Sequence, residues 1–393
     1  MDNRRILQIN LDALETPLFI LDEVELQKNL SLLKEVQEKS GSEILLALKG
    51  YASYVTFPMM KNYLAGVCAG SLYEARLGKE EFGKEVHTYA PAFADKEFPK
   101  ILEYSDYVTF NSIAQLERFM PVIRAQTIRK EVGLRVNPEK SIAGEKFGLY
   151  DPCATHSRLG VTAKEFDEQC LEYLSGLHVH ALCEQNQDAL EELLEVLEEK
   201  FSPILKRMNW INLGGGHHIT REDYDCDKLC RIVQEFKARY PSIQRVYLEP
   251  GEAVVWNSAV FATKVLDVVK NSKNIAILDT SVETHLLDVL LTRYEPMPYI
   301  PTIWGAGRPG ELEHTYTLGG LSCAAGDVIG EYSFSKPLRV GDVLLFLDMA
   351  YYTIVKTTMF NGIALPGIAM MNAEGNVLMI KTFRYEEYKN RLS

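Results

Sequence analysis

Residues 177–216, LHVHALCEQNQDALEELLEVLEEKFSPILKRMNWINLGGG, decide how the chain folds. They open on a short apolar run, Leu177–Leu182, and pass through Gln187–Met208, where apolar residues recur at spacings of three and four. They close on a second run, Trp210–Leu213. That pattern predicts strand, helix, strand. Outward from it, similar runs occur at Glu43–Leu48, Ala65–Gly70, Val86–Ala90, Tyr107–Phe110, Val132–Asn137 and Val246–Glu249, with helical patterns in most of the gaps. Eight βα units in this length imply an α/β architecture, a closed parallel (β/α)8 TIM-like barrel; an open doubly wound sheet is the alternative.

Beyond residue 255 the texture changes. Val260–Val269, Ile275–Asp279, Asp342–Leu347, Tyr352–Thr358 and Asn376–Phe383 read as strands between Gly and Pro turns, without a long helical pattern among them. This predicts a second, mostly antiparallel β domain, which the early run Pro17–Leu21 joins. The expected division is residues 22–255 for the barrel, with 1–21 and 256–393 for the β domain.

At 47% hydrophobic and 24% charged, the 393 residues can bury a full core. No apolar run approaches the roughly 18 residues of a membrane span, and MDNRRILQINLD has no apolar signal core. A net charge of −12, from 42 basic and 54 acidic residues, disfavours a nucleic-acid partner. Seven cysteines, an odd number, read as reduced thiols in a cytoplasm.

A barrel concentrates chemistry at the carboxyl ends of its strands. Lys49 ends the first in LLALKG, an apolar run finishing in a single amine, where burial would favour the neutral nucleophile that forms a Schiff base. The sixth closes on His178-Val-His180, both histidines on one face, so that one can lie over a bound ring. No third ligand with recognisable spacing accompanies them, so no metal is expected. The seventh runs into Gly214-Gly215-Gly216, whose backbone N–H groups can turn inward as an anion cradle. The string Gly305-Ala-Gly307-Arg-Pro-Gly310 lacks a following helix and is a loop rather than a dinucleotide fingerprint. The eighth ends at Glu249-Pro250-Gly251, a carboxylate able to keep a heteroaromatic nitrogen protonated. An amine, a stacking histidine, a phosphate cradle and a carboxylate at four strand ends together fit pyridoxal 5'-phosphate. Cys226 and Cys230 share an amphipathic helical stretch and are expected to be packing.

TPLFILD (16–22), LALKG (46–50), GLRVNP (133–138), HSRLG (156–160), LHVH (177–180), LGGG (213–216), LEPG (248–251), GGLSCAAGD (319–327) and MFNG (359–362) occur in one order along the chain. In these strings it resembles the fold-type III pyridoxal-phosphate enzymes, nearly end to end. The resemblance implies a homodimer with active sites shared between subunits. It assigns Lys49 to the Schiff base, His180 to stacking on the cofactor ring, Gly214 to Gly216 and Tyr352 to its phosphate, and Glu249 to its ring nitrogen. Arg158 matches an arginine near the ring. Cys323 matches a cysteine lent by the second subunit and is suited to returning a proton to the α-carbon. Because related racemases place an arginine where Glu249 stands, the glutamate favours decarboxylation.

Within that family, HVHALCE, LGGGHHIT, LDTSVETHLLDVL and GGLSCAAGD resemble the branch acting on carboxynorspermidine or carboxyspermidine, which implies a small carboxylated polyamine as substrate. Glu252 follows LEPG where ornithine-type enzymes carry a phosphate-supporting arginine. Ala324 follows Cys323 where ornithine and diaminopimelate enzymes present an acid. A cationic tail needs carboxylates further out; Glu184, Glu283, His285, Asp288 and Asp327 are the expected tail-binding residues. The alternatives are a diaminopimelate- or ornithine-type decarboxylase, or a non-catalytic member of the fold.

Overall fold

A computed structural model describes residues 5–10, 14–142 and 145–393. The chain divides into two compact units, Asn29–Val254 and the residues up to Lys28 together with Val255–Ser393. Helix Glu23–Ser40 crosses the first of these divisions.

Strand β1 (Leu18–Asp22) belongs to the sheet unit. The other unit holds β2 (Glu43–Ala47), β3 (Gly66–Ala69), β4 (Glu85–Tyr89), β5 (Tyr107–Phe110), β6 (Glu131–Asn137), β7 (Val161–Thr162), β8 (Gly176–His178), β9 (Trp210–Asn212) and β10 (Arg245–Leu248). Their pairing runs β5-β4-β3-β2-β10-β9-β8-β6, and a β5–β6 ladder closes the circle. All are parallel, so the open-sheet alternative falls. The two-residue β7, beside β6, is an addition that the sequence patterns did not reveal.

The barrel interior explains two glycines. A Cβ on Gly176 would stand 2.0 Å from Trp210 Cδ2, and one on Gly133 would stand 2.4 Å from its Cη2. The indole, 2% exposed, therefore fills the space that two neighbouring strands leave. At the amino ends of the strands, opposite the candidate site, a polar network closes the floor. Arg245 donates to Glu85 Oε1, Tyr107 Oη and Tyr247 Oη, each at 2.7 Å, and Tyr247 donates to Glu85 Oε2 at 3.1 Å. The His87 ring stacks on Tyr107 at 3.9 Å.

Burial pushes the Glu85 carboxyl up, but His87 and Arg245 outweigh it and hold it at about 2. A folded pKa below the unfolded value stabilises the fold above about pH 4.5, and the contribution fades as pH falls toward 2. Glu85→Gln is therefore expected to cost about 1–3 kcal/mol at neutral pH, and less at about pH 3. Denaturant unfolding at both pH values checks this; an equal loss at both contradicts it.

The sheet unit contains β11 (Ala259–Asn271), β12 (Lys273–Leu278), β13 (Ala306–Gly307), β14 (His314–Gly319), β15 (Val328–Phe334), β16 (Val343–Leu347), β17 (Gly367–Met371) and β18 (Val377–Lys381). Strand order is β13-β15-β14-β12-β11-β1-β17-β18, with β16 on β11. The ladders are antiparallel except β1–β17 and β12–β14. Phe19, Phe261, Leu278, Leu318, Phe346 and Met349 anchor its core. Tyr352–Thr358 is not the expected strand but a turn containing the 3-10 helix Ile354–Lys356; Tyr352, at φ 48°, breaks the extended run. Residues 305–310 form a loop and the short β13, as expected of that glycine cluster. Among the described residues no helix is long and apolar enough to cross a membrane.

Candidate active site

Four barrel strands deliver the site. After β2, Gly50 N–H bonds Ala47 O at 2.9 Å, and this turn rotates Lys49 out of the apolar run. Leu48 and Gly50 are buried while Lys49 is exposed, so the expectation of a buried amine is corrected. After β8, His180 accepts a hydrogen bond at Nδ1 from Gly215 N–H at 2.8 Å. Burial, then the positive charges of Lys49 and Arg135, hold the His180 imidazole well below its ordinary pKa. It is neutral at pH 7, with its proton on Nε2.

Glu249, just past β10, has its Oε1 fixed by Asn212 Nδ2 at 2.6 Å. Burial raises its pKa, but His178, Lys49 and the Asn212 hydrogen bond prevail and bring it to about 2. The group is a carboxylate throughout the physiological range. His178 Nε2 lies 3.4 Å from Glu249 Oε2, off the line of a hydrogen bond. With its side chain 4% exposed, His178 leaves both ring nitrogens without hydrogen-bond partners among the described residues. Buried polar atoms rarely stay so unless a missing group completes them.

The glycine run differs from the expected cradle. Gly214 N–H donates to Asn212 Oδ1 at 2.9 Å and Gly215 N–H to His180 Nδ1, so two of the three amides are already used. A Cβ on Gly215 would meet Glu249 O at 2.4 Å, and one on Gly214 would meet His180 Nδ1 at 2.6 Å. The first two glycines let the loop pass close to its neighbours and orient Asn212 and His180. Gly216 N–H has no partner among the described residues.

Sequence reasoning missed Asn212, which ties Glu249 to the glycine loop, and Arg135. The Arg135 guanidinium, 5% exposed, donates to His180 O at 3.0 Å and lies 4.8 Å over the Tyr89 ring. A lone arginine inside the apolar run of β6 was the available signal. The expected Arg158 is exposed, and its carbonyl accepts from Asn111 Nδ2 at 2.9 Å. Glu184, also exposed, adopts φ 51°.

In the sheet unit Cys323 is exposed, and its Sγ donates to Asn361 Oδ1 at 3.5 Å. The two oxygens of Asp327, expected to bind the tail, accept Val282 N–H and Ser322 N–H, each at 2.9 Å, which ties down the loop carrying Cys323. His285 is likewise engaged at both nitrogens, with Thr280 Oγ1 and Ala364 O, each at 3.0 Å. Burial holds its pKa at about 4, so it is neutral rather than cationic or anionic. Asp288 pairs with Lys356 at 2.6 Å, and Lys356 Nζ lies 5.1 Å from the centre of the Tyr352 ring. The Glu283 side chain is half-buried. Cys226 and Cys230 contact the carbonyls of Ile219 and Val36.

A family profile described as pyridoxal-dependent decarboxylase, C-terminal sheet domain, matches residues 18–350. A carboxynorspermidine/carboxyspermidine decarboxylase of Campylobacter jejuni is 43% identical over 97% of this chain and 99% of its own. A carboxyaminopropylagmatine decarboxylase of Synechocystis is 41% identical over 97% and 96%. The crystal structure of the Campylobacter jejuni carboxynorspermidine decarboxylase complexed with norspermidine superposes with a TM-score of 0.88 at 42% identity, covering 96% of this chain and all of that one. Diaminopimelate decarboxylase from Helicobacter pylori, at 17% identity and a TM-score of 0.77, shares the fold.

Proposed function

The chain belongs to the pyridoxal-dependent decarboxylases, and we propose that its own reaction is removal of the α-carboxylate from carboxynorspermidine and carboxyspermidine as CO2, leaving norspermidine and spermidine. The observation that carries the reaction type is the Glu249 carboxylate at the end of a barrel strand, with Oε1 fixed by Asn212 Nδ2 at 2.6 Å and Oε2 facing His178 Nε2 at 3.4 Å. The near-full-length likeness to the Campylobacter jejuni enzyme carries the substrate.

The residues present fit pyridoxal 5'-phosphate. His178 offers buried, unpartnered nitrogens beside Glu249, and Gly216 offers an amide. Lys49 would hold the cofactor through its amine, Glu249 would hold a proton on the ring nitrogen, His180 would cover a ring face, and Gly216 and Tyr352 would take the phosphate. Arg158 would lie near the ring. When bound, the cofactor supplies an electron sink for the pair released as the carbon–carboxylate bond breaks. Asn212 keeps the Glu249 carboxylate aimed; Arg135 holds the His180 backbone. Cys323 would return a proton to the α-carbon, on a loop that Asp327 makes rigid. Glu184 and Glu283 remain acids for the cationic tail.

A second reading has an observation of its own: the carboxyaminopropylagmatine decarboxylase of Synechocystis is nearly as similar. CO2 release from carboxynorspermidine, carboxyspermidine and carboxyaminopropylagmatine separates the two. Turnover of the third alone would replace the first reading, and turnover of none would remove both.

The family likeness further supports a homodimer in which Cys323 serves the partner's barrel. Mixing Lys49→Ala and Cys323→Ala proteins is then expected to restore about a quarter of wild-type activity, since half the dimers are mixed and each has one intact site of two. No recovery after subunit exchange would refute the sharing. Seven free thiols support a reducing, cytoplasmic setting.

A further inference from the structure

Two neighbouring barrel strands each bring a nitrogen to Glu249. His178 and Asn212 are register partners on β8 and β9, and Asn212 in turn pairs with Tyr247 on β10, two residues before Glu249. Alternation along the strands brings all three side chains to one face. Asn212 Nδ2 donates to Glu249 Oε1 at 2.6 Å, and His178 Nε2 lies 3.4 Å from Oε2, so the two strands address the two oxygens of one carboxylate.

The bland alternative is a core histidine that fills space beside the Tyr89 ring, whose centre is 5.2 Å away. Packing does not need its nitrogens. Both are buried without hydrogen-bond partners among the described residues, a cost that a phenyl ring in the same place avoids. Burial keeps the imidazole neutral against the pull of Glu249, so it has one N–H to direct. A lone pair facing a carboxylate is repelled, which puts that proton on Nε2, toward Oε2. Hydrogen bonds of catalytic groups are often long or poorly aligned before the site is filled, and the 3.4 Å separation is of that kind.

We propose that His178 is a positioning residue for the ring-nitrogen proton: its Nε2–H, with the Asn212 amide on the other oxygen, makes Glu249 too weak a base to take that proton from the cofactor. The inference rests on the reading above that Glu249 meets the ring nitrogen. Two partners share a proton according to their relative basicity, and each donor to a carboxylate lowers its basicity. With Asn212 alone, Oε2 would remain the more basic oxygen. With His178 aimed at it, the proton stays on the ring and the electron sink stays strong. In this role His178 acts only through Glu249.

The test is solution NMR of the holoenzyme, loaded with cofactor isotopically labelled at the ring nitrogen, together with steady-state kinetics, for wild type, His178→Phe, His178→Leu and His178→Gln. Wild type is expected to show the protonated-pyridine shift. His178→Phe, which keeps a ring but has no N–H, should move the signal toward the unprotonated position and lower kcat about tenfold with KM within about twofold. His178→Leu should do the same. His178→Gln, whose amide can donate to Oε2, should hold the wild-type shift and keep kcat within about threefold. A packing role predicts the reverse: stability changes while the ring-nitrogen signal stays. An unmoved signal in cofactor-loaded His178→Phe overturns the proposal. If that variant does not fold or load, an unmoved signal in His178→Leu does so, and so does a displacement in His178→Gln equal to that of the apolar variants. Wild type with an unprotonated ring nitrogen, or without bound cofactor, defeats the underlying Glu249 assignment instead.

Discussion

Lys49→Ala is expected to abolish the visible absorbance of the lysine-bound cofactor and to lower decarboxylation at least about a thousandfold, with the fold intact. The separation of function from stability follows from position. Leu48 is fully buried, whereas Lys49 is exposed on the turn after β2, so truncating it opens no cavity and should change unfolding by within about 0.5 kcal/mol. The loss must then come from the amine. Its charge also contributes to holding Glu249 and His180 below their ordinary pKa values, so a purely electrostatic role has to be distinguished. Lys49→Arg makes the distinction, because it keeps the charge but cannot form the covalent link. Both variants are expected to lack the band. If Lys49→Arg retained it, or retained turnover within tenfold, Lys49 would be an electrostatic neighbour only.

What was legible in the sequence was whatever depends on local order. The runs that became β2 to β6 and β8 to β10 each carry their own period, and Lys49, His180, Gly214 and Glu249 are found by looking where those runs stop. What was not legible depends on partners distant in the chain. Asp327 looks like any acid until Val282, 45 residues away, presents its N–H; Asp288 looks free until Lys356, 68 residues away, pairs with it. The glycine run was read for freedom of its amides, but freedom is decided by Asn212 and His180, which take two of them. Asn212 and Arg135 interrupt buried strands, and their meaning appears only when Glu249 and Tyr89 arrive from other strands. Tyr352–Thr358 has the β-branched composition of a strand, and one residue with positive φ was enough to turn it.

Glu249→Gln is expected to leave cofactor absorbance in place while lowering kcat roughly 10²–10⁴-fold, the range of a positioned proton-transfer group. The amide matches the shape of the carboxylate, and the 2.6 Å hydrogen bond from Asn212 can persist to its oxygen. What it lacks is the charge that keeps a proton on a ring nitrogen. The sign of the pH dependence gives an independent check. Burial raises the Glu249 carboxyl, yet His178, Lys49 and Asn212 hold it at about 2, below the ordinary glutamate value of 4.5. Stability from this group is therefore complete above about pH 4.5 and lost as pH falls toward 2. From pH 5 upward its charge does not change, so the kcat/KM profiles of wild type and Glu249→Gln should have the same shape and differ only in height. A variant within threefold of wild type would remove the carboxylate from the chemistry. A wild-type inflection between about pH 5 and 7 that disappears in Glu249→Gln would mean that the group titrates there, and that the neighbours named above do not keep it ionised.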